Sequence, residues 1–261
     1  MPTDINPPSP APIINHIRIA DVLASLKEGL GDYLRAPAFG LFFSAFYVLG
    51  GLTIWAQVTV ISQSWWIIPL GLGFPLFAPF AAVGLYEVSR RLEASQPLDW
   101  GGVLGVVVAQ SQRQVPALAA IIIMIFMFWA YAAHLVFALF FGLSAMTNVT
   151  TSYEILFTTN GMVMLAVGTA VGAGLSAVLF SISVVGLPLM LDREIDFVSA
   201  MIASVRSVFM NPVPMLFFAF SIGLIMLVGL LPIFLGLFVA LPVLGHATWR
   251  LYRRVVTFED A

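Results

Sequence analysis

Long apolar runs alternate with short polar segments along most of the chain. Six runs are long enough to cross a membrane, because a hydrocarbon core of about 30 Å requires roughly 20 helical residues. They cover residues 37–61, 65–86, 116–141, 162–191, 212–231 and 232–249. Connections around Ser62, around Thr150 and at Pro232 join them in pairs, and Pro232 predicts a break because proline lacks a backbone donor. The pattern predicts an all-α polytopic membrane protein with six transmembrane helices as three hairpins.

A weak internal repeat precedes each predicted hairpin. An Asp is followed sixteen or seventeen residues later by a Pro: Asp21 with Pro37, Asp99 with Pro116, and Asp196 with Pro212. Each Asp suits a helix N-cap, and each Pro suits the first turn of the next helix.

Apolar residues recur at helical spacing between the Asp and the Pro. They are Val22, Leu23, Leu26, Leu30 and Leu34 in the first segment, and Val198, Met201, Ile202, Val205 and Phe209 in the third. The second segment fits this spacing less well. We predict that a cytoplasmic interfacial amphipathic helix precedes each hairpin. Ordinary cytoplasmic loops are the alternative.

Composition and charge agree with a membrane protein. The chain is 61% hydrophobic and 9% charged, with a mean hydropathy of +1.02, whereas soluble domains are about 45–50% apolar and about 25% charged. The net charge of -2 argues against a nucleic-acid partner. The absence of cysteine excludes disulfides and thiolate-based sites.

The basic residues predict the orientation. All eleven lie in the four polar segments on one side of the predicted hairpins: Arg18, Lys27, Arg35, Arg90, Arg91, Arg113, Arg193, Arg206, Arg250, Arg253 and Arg254. Short cytoplasmic loops retain Lys and Arg during insertion, so we predict cytoplasmic N- and C-termini in a bacterial inner membrane. The predicted domains are a disordered cytoplasmic tail (1–17), a single six-helix membrane domain (18–254) and a short cytoplasmic tail (255–261).

Candidate functional residues lie near the predicted inner ends of the second, fourth and sixth helices. They are Glu87, Arg90, Asp192, Arg193, His246 and Arg250. If the hairpins surround a common axis, these residues form a polar cluster at the cytoplasmic rim. Two interpretations are open: a site for a headgroup, ligand or partner, or solvated helix-end charges in intramolecular ion pairs. In the fourth helix, Gly168 and Gly172 predict close helix packing.

Three patches resemble a known family: VGLYEVSRRLE at 83–93, LPLMLDR at 187–193 and LGHATW at 244–249. In this order they are similar to a proteobacterial family of predicted integral membrane proteins, domain of unknown function 2189. The resemblance extends over about residues 19–254. It implies an inner-membrane protein and supplies no activity or catalytic residues. Some members are labelled cytochrome c oxidase subunit I, but a haem–copper subunit needs more imidazole ligands than His134 and His246 provide.

Three functions are consistent with these features. The first is a non-enzymatic accessory, assembly or lipid-interacting scaffold, with the lipid bilayer and another membrane protein complex as candidate partners. The second is an uncoupled transporter or channel for a small or amphipathic molecule. The third is a respiratory-chain-associated redox or accessory subunit. The pattern offers no catalytic constellation, metal site, cofactor site or mid-span charge, and this favours the scaffold.

Overall fold

The computed structural model describes residues 11–61, 67–142 and 153–259, and it is helical over most of them. The α-helices are α1 (Ile19–Arg35), α2 (Pro37–Ala56), α3 (Ile67–Glu93), α4 (Trp100–Ser111), α5 (Val115–Phe141), α6 (Thr159–Ser183), α7 (Gly186–Asp192), α8 (Phe197–Met210), α9 (Pro212–Leu230) and α10 (Leu237–Val255). A π-helical turn, Gln57–Ile61, follows α2, and a 3-10 turn, Tyr153–Phe157, precedes α6. The predicted connections at Ser62 and Thr150 lie outside the described residues, as do residues 1–10 of the predicted tail.

The all-helical membrane class is confirmed. Four described helical segments are long and apolar enough to cross a membrane: Pro37–Ala56, Val115–Phe141, Thr159–Asp192 and Pro212–Leu230. Helix α10 extends beyond the predicted end at residue 249 and therefore includes three arginines, Arg250, Arg253 and Arg254. These charges lower its apolar character relative to the other long helices.

The prolines start helices as predicted. Pro37 and Pro212 are the first residues of α2 and α9, and Pro116 is the second residue of α5. The break expected at Pro232 is also confirmed, because α9 ends at residue 230 and turns occupy residues 231–236. Two non-glycine residues of these turns, Ile233 and Phe234, have positive φ angles of 50° and 65°.

The aspartates behave differently at the three segment starts. Two are N-caps as predicted: Asp99 accepts from Gly102 N at 2.6 Å, and Asp196 accepts from Ser199 N at 2.9 Å. The N-cap prediction is wrong for Asp21, because α1 begins two residues earlier, at Ile19. Asp21 instead accepts from the backbone N–H of Arg18 at 2.7 Å, from within the first turn.

The fourth predicted passage, residues 162–191, is interrupted rather than continuous. Helix α6 ends at Ser183, and α7 begins at Gly186. The backbone N–H of Val185, at the interruption, donates to Ser204 Oγ of α8 at 3.0 Å. A side chain from a later helix therefore satisfies a backbone group that the interruption frees.

The described residues form two compact units. Unit 1 contains those up to Ala119 and those from Ser181 onward, and unit 2 contains Ala120–Phe180. In unit 1, α1 packs on α10, α4 on α3, and α8 on α7, while α3, α7 and α10 also contact one another. Helix α1 approaches α10 closely at Gly29, where an added Cβ would lie 2.5 Å from Ala247 N.

Both predicted tails contribute ordered structure. Strand β1 (Ile13–Ile14) pairs antiparallel with strand β2 (Val256–Thr257). Asn211, between α8 and α9, accepts from Ile17 N at 2.8 Å and donates to Asn15 O at 3.0 Å. The prediction of a disordered tail over residues 1–17 therefore does not hold for residues 13–17. This pairing joins opposite ends of the chain, so a local sequence pattern does not reveal it.

Candidate functional site

Asp32 of α1 is buried against Arg250 of α10. The Nε atom and one terminal nitrogen of Arg250 donate to the two carboxylate oxygens, each at 2.8 Å. Only 2% of the Asp32 side chain is exposed. Bidentate arginine–carboxylate pairs combine two charge-assisted hydrogen bonds with a fixed geometry. This ion pair therefore fixes α1 in one position on α10.

Ser89 of α3 extends this ion pair into a buried polar chain. Its hydroxyl donates to Asp32 Oδ2 at 2.9 Å and lies 2.8 Å from Nδ1 of His246. Because the hydroxyl proton is directed at the carboxylate, Nδ1 of His246 is the donor to Ser89. Nε2 of this buried imidazole has no hydrogen-bond partner among the described residues. The chain connects α1, α3 and α10.

Glu87 is fully buried and forms ion pairs with two arginines of its own helix. Arg90 donates to it at 2.7 and 3.0 Å, and Arg91 donates at 2.7 Å. Arg91 also donates to Asp99 Oδ2, at the start of α4, at 3.1 Å. Pairing with two cations offsets the cost of removing a carboxylate from water. The group therefore connects α3 with α4.

A third group of polar contacts surrounds the end of α10. Asp192 of α7 accepts from the Tyr252 hydroxyl at 2.7 Å and from Arg253 at 3.5 Å. Glu93 of α3 accepts from Trp249 Nε1 at 3.0 Å and from Arg253 at 3.2 Å. The Arg253 side chain is exposed, so its ion pairs contribute little to stability. This contact therefore depends mainly on the hydrogen bonds from the two neutral donors, the Tyr252 hydroxyl and Trp249 Nε1.

The six predicted rim residues do not share one network of hydrogen bonds and ion pairs. They divide as follows: Glu87 with Arg90, His246 with Arg250 through Ser89 and Asp32, and Asp192 with Tyr252. Arg193 follows Asp192 in the chain, and its guanidinium carbon is 4.2 Å from the ring centre of Phe258. The buried acids are paired with arginines of the same chain. The arrangement is therefore suited to holding helices together.

Sequence reasoning assigned no role to Asp32 or Ser89. Ser25, Gly29 and Asp32 follow one another at spacings of four and three residues, so the three positions share one face of α1. Small residues allow two helices to approach closely, and a carboxylate on such a face is the signal that could have identified Asp32. Ser89 offers no comparable signal, since its partners lie on distant segments.

Gly168 and Gly172 lie in unit 2, on a groove between α5 and α6 with a volume of about 630 Å³. A Cβ on Gly172 would lie 3.2 Å from Trp129 Nε1, and one on Gly168 would lie 3.9 Å from Val136. Apolar side chains form most of the groove surface. The close packing of two helix backbones at these glycines stays a prediction.

Comparison with known proteins finds similarity to one family over the middle of the chain. The model of the family described as "Predicted integral membrane protein (DUF2189)" matches residues 67–192. The resemblance inferred from the 83–93 patch and most of the 187–193 patch is thereby confirmed, and the 244–249 patch lies outside the match. No curated protein and no solved structure matches the chain.

Proposed function

We propose that this integral membrane protein, similar over residues 67–192 to a family of unknown function, is a non-enzymatic scaffold of the bacterial inner membrane. It holds lipids, or an accessory or assembly partner, at its cytoplasmic face. The proposal includes six spans as three hairpins, with both termini in the cytoplasm. Helices α1, α4 and α8 are the interfacial helices that precede the hairpins.

The observation that carries this proposal is the outward apolar face of α1. The helix buries one apolar residue, Val22, and three small or polar residues, Ser25, Gly29 and Asp32. It exposes Ile19, Leu23, Leu30 and Leu34, and 67% of the Leu34 surface is accessible. The exposed residues share one side of the helix. An apolar face of this kind is expected to lie in the lipid interface.

Helix α8 has the same arrangement as α1, with small residues buried and apolar residues exposed. It buries Ala200, Ala203, Ser204 and Ser207. It exposes Val198, Ile202 and Phe209, and 76% of the Phe209 surface is accessible. Two helices that precede predicted hairpins therefore direct their small residues inward and their apolar residues outward. This is the reverse of a helix on a soluble core and fits a helix that lies on a bilayer.

An uncoupled transporter or channel is the alternative. The groove of unit 2 is its best candidate path, but Thr169 and Ser176 are the main polar side chains that line it. Such a surface suits an acyl chain better than a hydrated solute. The groove therefore adds support to a lipid-interacting role.

Mild detergent extraction followed by mass spectrometry of the bound lipids and proteins tests the scaffold. The test variant carries Leu23→Gln and Leu34→Gln, and the matched control carries Leu23→Met and Leu34→Met. We expect wild type and the Met control to retain lipid or a partner membrane protein that the Gln variant loses, while all three keep the same helix content. Recovery of wild type with neither lipid nor partner would contradict the proposal.

A further inference from the structure

A cavity of about 510 Å³ opens beside α1, on the flank next to its exposed leucines. The residues that matter for its chemistry are Lys27, Glu28, Gly31, Asp32, Arg35 and Arg250. All but Arg250 belong to α1. Three cations and two acids therefore face the same space.

Both acids already have arginine partners. Asp32 is paired with Arg250, and Glu28 accepts from Arg254 at 2.6 Å. Lys27 and Arg35 have no acidic group within 4 Å among the described residues. Two positive charges on this flank are therefore available to an anion from outside the protein.

The spacing of these cations suits a ligand that lies along the helix. Lys27, Gly31 and Arg35 follow one another at intervals of four residues, so they lie along one flank of α1. Gly31 leaves the space between the cations open, because an added Cβ there would meet nothing within 4 Å. Arg35 lies two residues before Pro37, the first residue of α2. Arg35 is therefore close to the point where the chain enters its first apolar helix.

We propose that this cavity binds the phosphodiester headgroup of an anionic lipid, with Lys27 and Arg35 as the phosphate-binding residues. The lipid acyl chains would then lie along the exposed leucines of α1. The inference deepens the scaffold proposal and rests on its interfacial placement of α1. It names the ligand class that α1 would select.

Helix α8 provides an internal control for this proposal. Aligning Asp21 with Asp196 pairs Lys27 with Ile202, Gly31 with Arg206, and Arg35 with Met210. Helix α8 thus has the outward apolar face but not the two cations. If the headgroup site requires both cations, α1 can form it and α8 cannot.

Lipid retention in mixed bilayers tests the proposal. The full chain is reconstituted with phosphatidylcholine and phosphatidylglycerol, re-extracted mildly, and its bound lipid is quantified by native mass spectrometry. One basic side chain near a membrane surface strengthens anionic-lipid binding about fivefold, so the Lys27→Gln, Arg35→Gln double variant is expected to bind phosphatidylglycerol about 30-fold more weakly. Arg206→Gln, the control on α8, is expected to stay within about twofold of wild type. Equal phosphatidylglycerol retention by wild type and the double variant would overturn the proposal.

A second variant separates a built cavity from general surface charge. Gly31→Leu keeps both cations and favours the helix, but its side chain fills the space between them. We expect it to lose most of the preference for phosphatidylglycerol over phosphatidylcholine, with unchanged helix content. Full retention of that preference would overturn the cavity assignment.

The source of the phosphate is tested by competition. Inorganic phosphate at matched concentration is expected to leave the lipid bound, because it lacks the acyl chains that the leucine face would contact. Displacement of the lipid would overturn the lipid assignment in favour of a free anion. If the Leu23 and Leu34 variants behave as expected but the cation variants do not, the scaffold proposal survives and this inference fails.

Discussion

Helices α1 and α8 have the same packing pattern but not the same chemistry. When Asp21 is aligned with Asp196, four buried positions coincide: Ser25 with Ala200, Gly29 with Ser204, Asp32 with Ser207, and Ala36 with Asn211. The backbone between each helix and the next also matches, with φ and ψ of -135° and 51° at Ala36 and of -129° and 53° at Asn211. The internal repeat therefore specifies how an interfacial helix packs and how it leads into the following apolar helix.

The difference lies in what occupies the shared positions. At one position α1 has Asp32, which forms a buried ion pair with Arg250, whereas α8 has Ser207, which donates to a carbonyl of its own helix. The available cations Lys27 and Arg35 also belong to α1 alone. The two copies of the repeat thus share their packing, while the charged residues distinguish α1 from α8. The comparison points to α1 as the copy with a specific task.

The largest predicted effect is the loss of the buried carboxylate. Asp32→Ala leaves Arg250 and Ser89 without their partner, and removal of one member of a buried pair costs about 3–5 kcal/mol. Ser207→Ala on α8 removes a neutral hydrogen bond and is expected to cost about 0.5–1.5 kcal/mol. Thermal unfolding in detergent, followed by circular dichroism, gives both values. Equal losses would remove the distinction between the two helices.

The next effect concerns the backbone contact of α1 with α10. Gly29→Ala places a methyl group against backbone atoms of α10 that cannot move aside, so we expect a loss of about 1–3 kcal/mol. Gly31→Ala, two residues later, meets open space and is expected to stabilise the helix by up to about 1 kcal/mol. The same unfolding assay measures both. Opposite signs support the packing described for α1, and stabilisation by Gly29→Ala would contradict it.

At the position where α1 has Gly29, α8 has Ser204, which carries a hydroxyl. Ser204→Ala leaves the backbone N–H of Val185 without an acceptor at the interruption between α6 and α7, at an expected cost of about 1–2 kcal/mol. Hydrogen exchange at Val185 is expected to accelerate in this variant. Ser204→Thr keeps the hydroxyl and serves as the control. Unchanged exchange in Ser204→Ala would show that the hydrogen bond does not protect the interruption.

The smallest predicted effect is the loss of the N-cap at the start of α8. Asp196 is the N-cap of α8, so Asp196→Ala is expected to cost roughly 0.5–1 kcal/mol at this exposed position. Hydrogen bonds from Ser199 lower the pKa of Asp196. A carboxyl with a lowered pKa stabilises the fold above its unfolded-state pKa, and this contribution is lost as the pH falls through the folded-state pKa. Wild type and Asp196→Ala should therefore converge in stability at acidic pH, and a constant difference would contradict the cap.

The helical elements could be predicted from the sequence because their signals are local. Pro37 and Pro212 start helices, and Asp99 and Asp196 cap them, through contacts within a few residues. The prediction for Asp21 failed by two residues, since a carboxylate can serve the same helix start from the first turn. Helix ends are the positions where such alternatives compete.

The polar contacts could be predicted only in part. Glu87 and Arg90 are neighbours on one helix, so their pairing follows from the sequence. The pairing of Asp32 with Arg250 joins residues 218 positions apart, and sequence periodicity gives no distance between α1 and α10. The strand pair formed by the chain termini and the contact between Val185 and Ser204 are non-local in the same way.

The depth of α1 and α8 in the bilayer tests whether these helices lie in the membrane interface. The chain has no cysteine, so single cysteines can carry a fluorescent probe without background. We compare Leu34→Cys and Phe209→Cys on the outward apolar faces with the aligned flank positions Ala24→Cys and Ser199→Cys, in vesicles that contain quenchers on the lipid chains or in the aqueous phase. If α1 and α8 lie in the interface, strong quenching from the lipid chains is expected at Leu34 and Phe209, and strong quenching from the aqueous phase is expected at Ala24 and Ser199. Equal aqueous quenching at all four positions would contradict this placement.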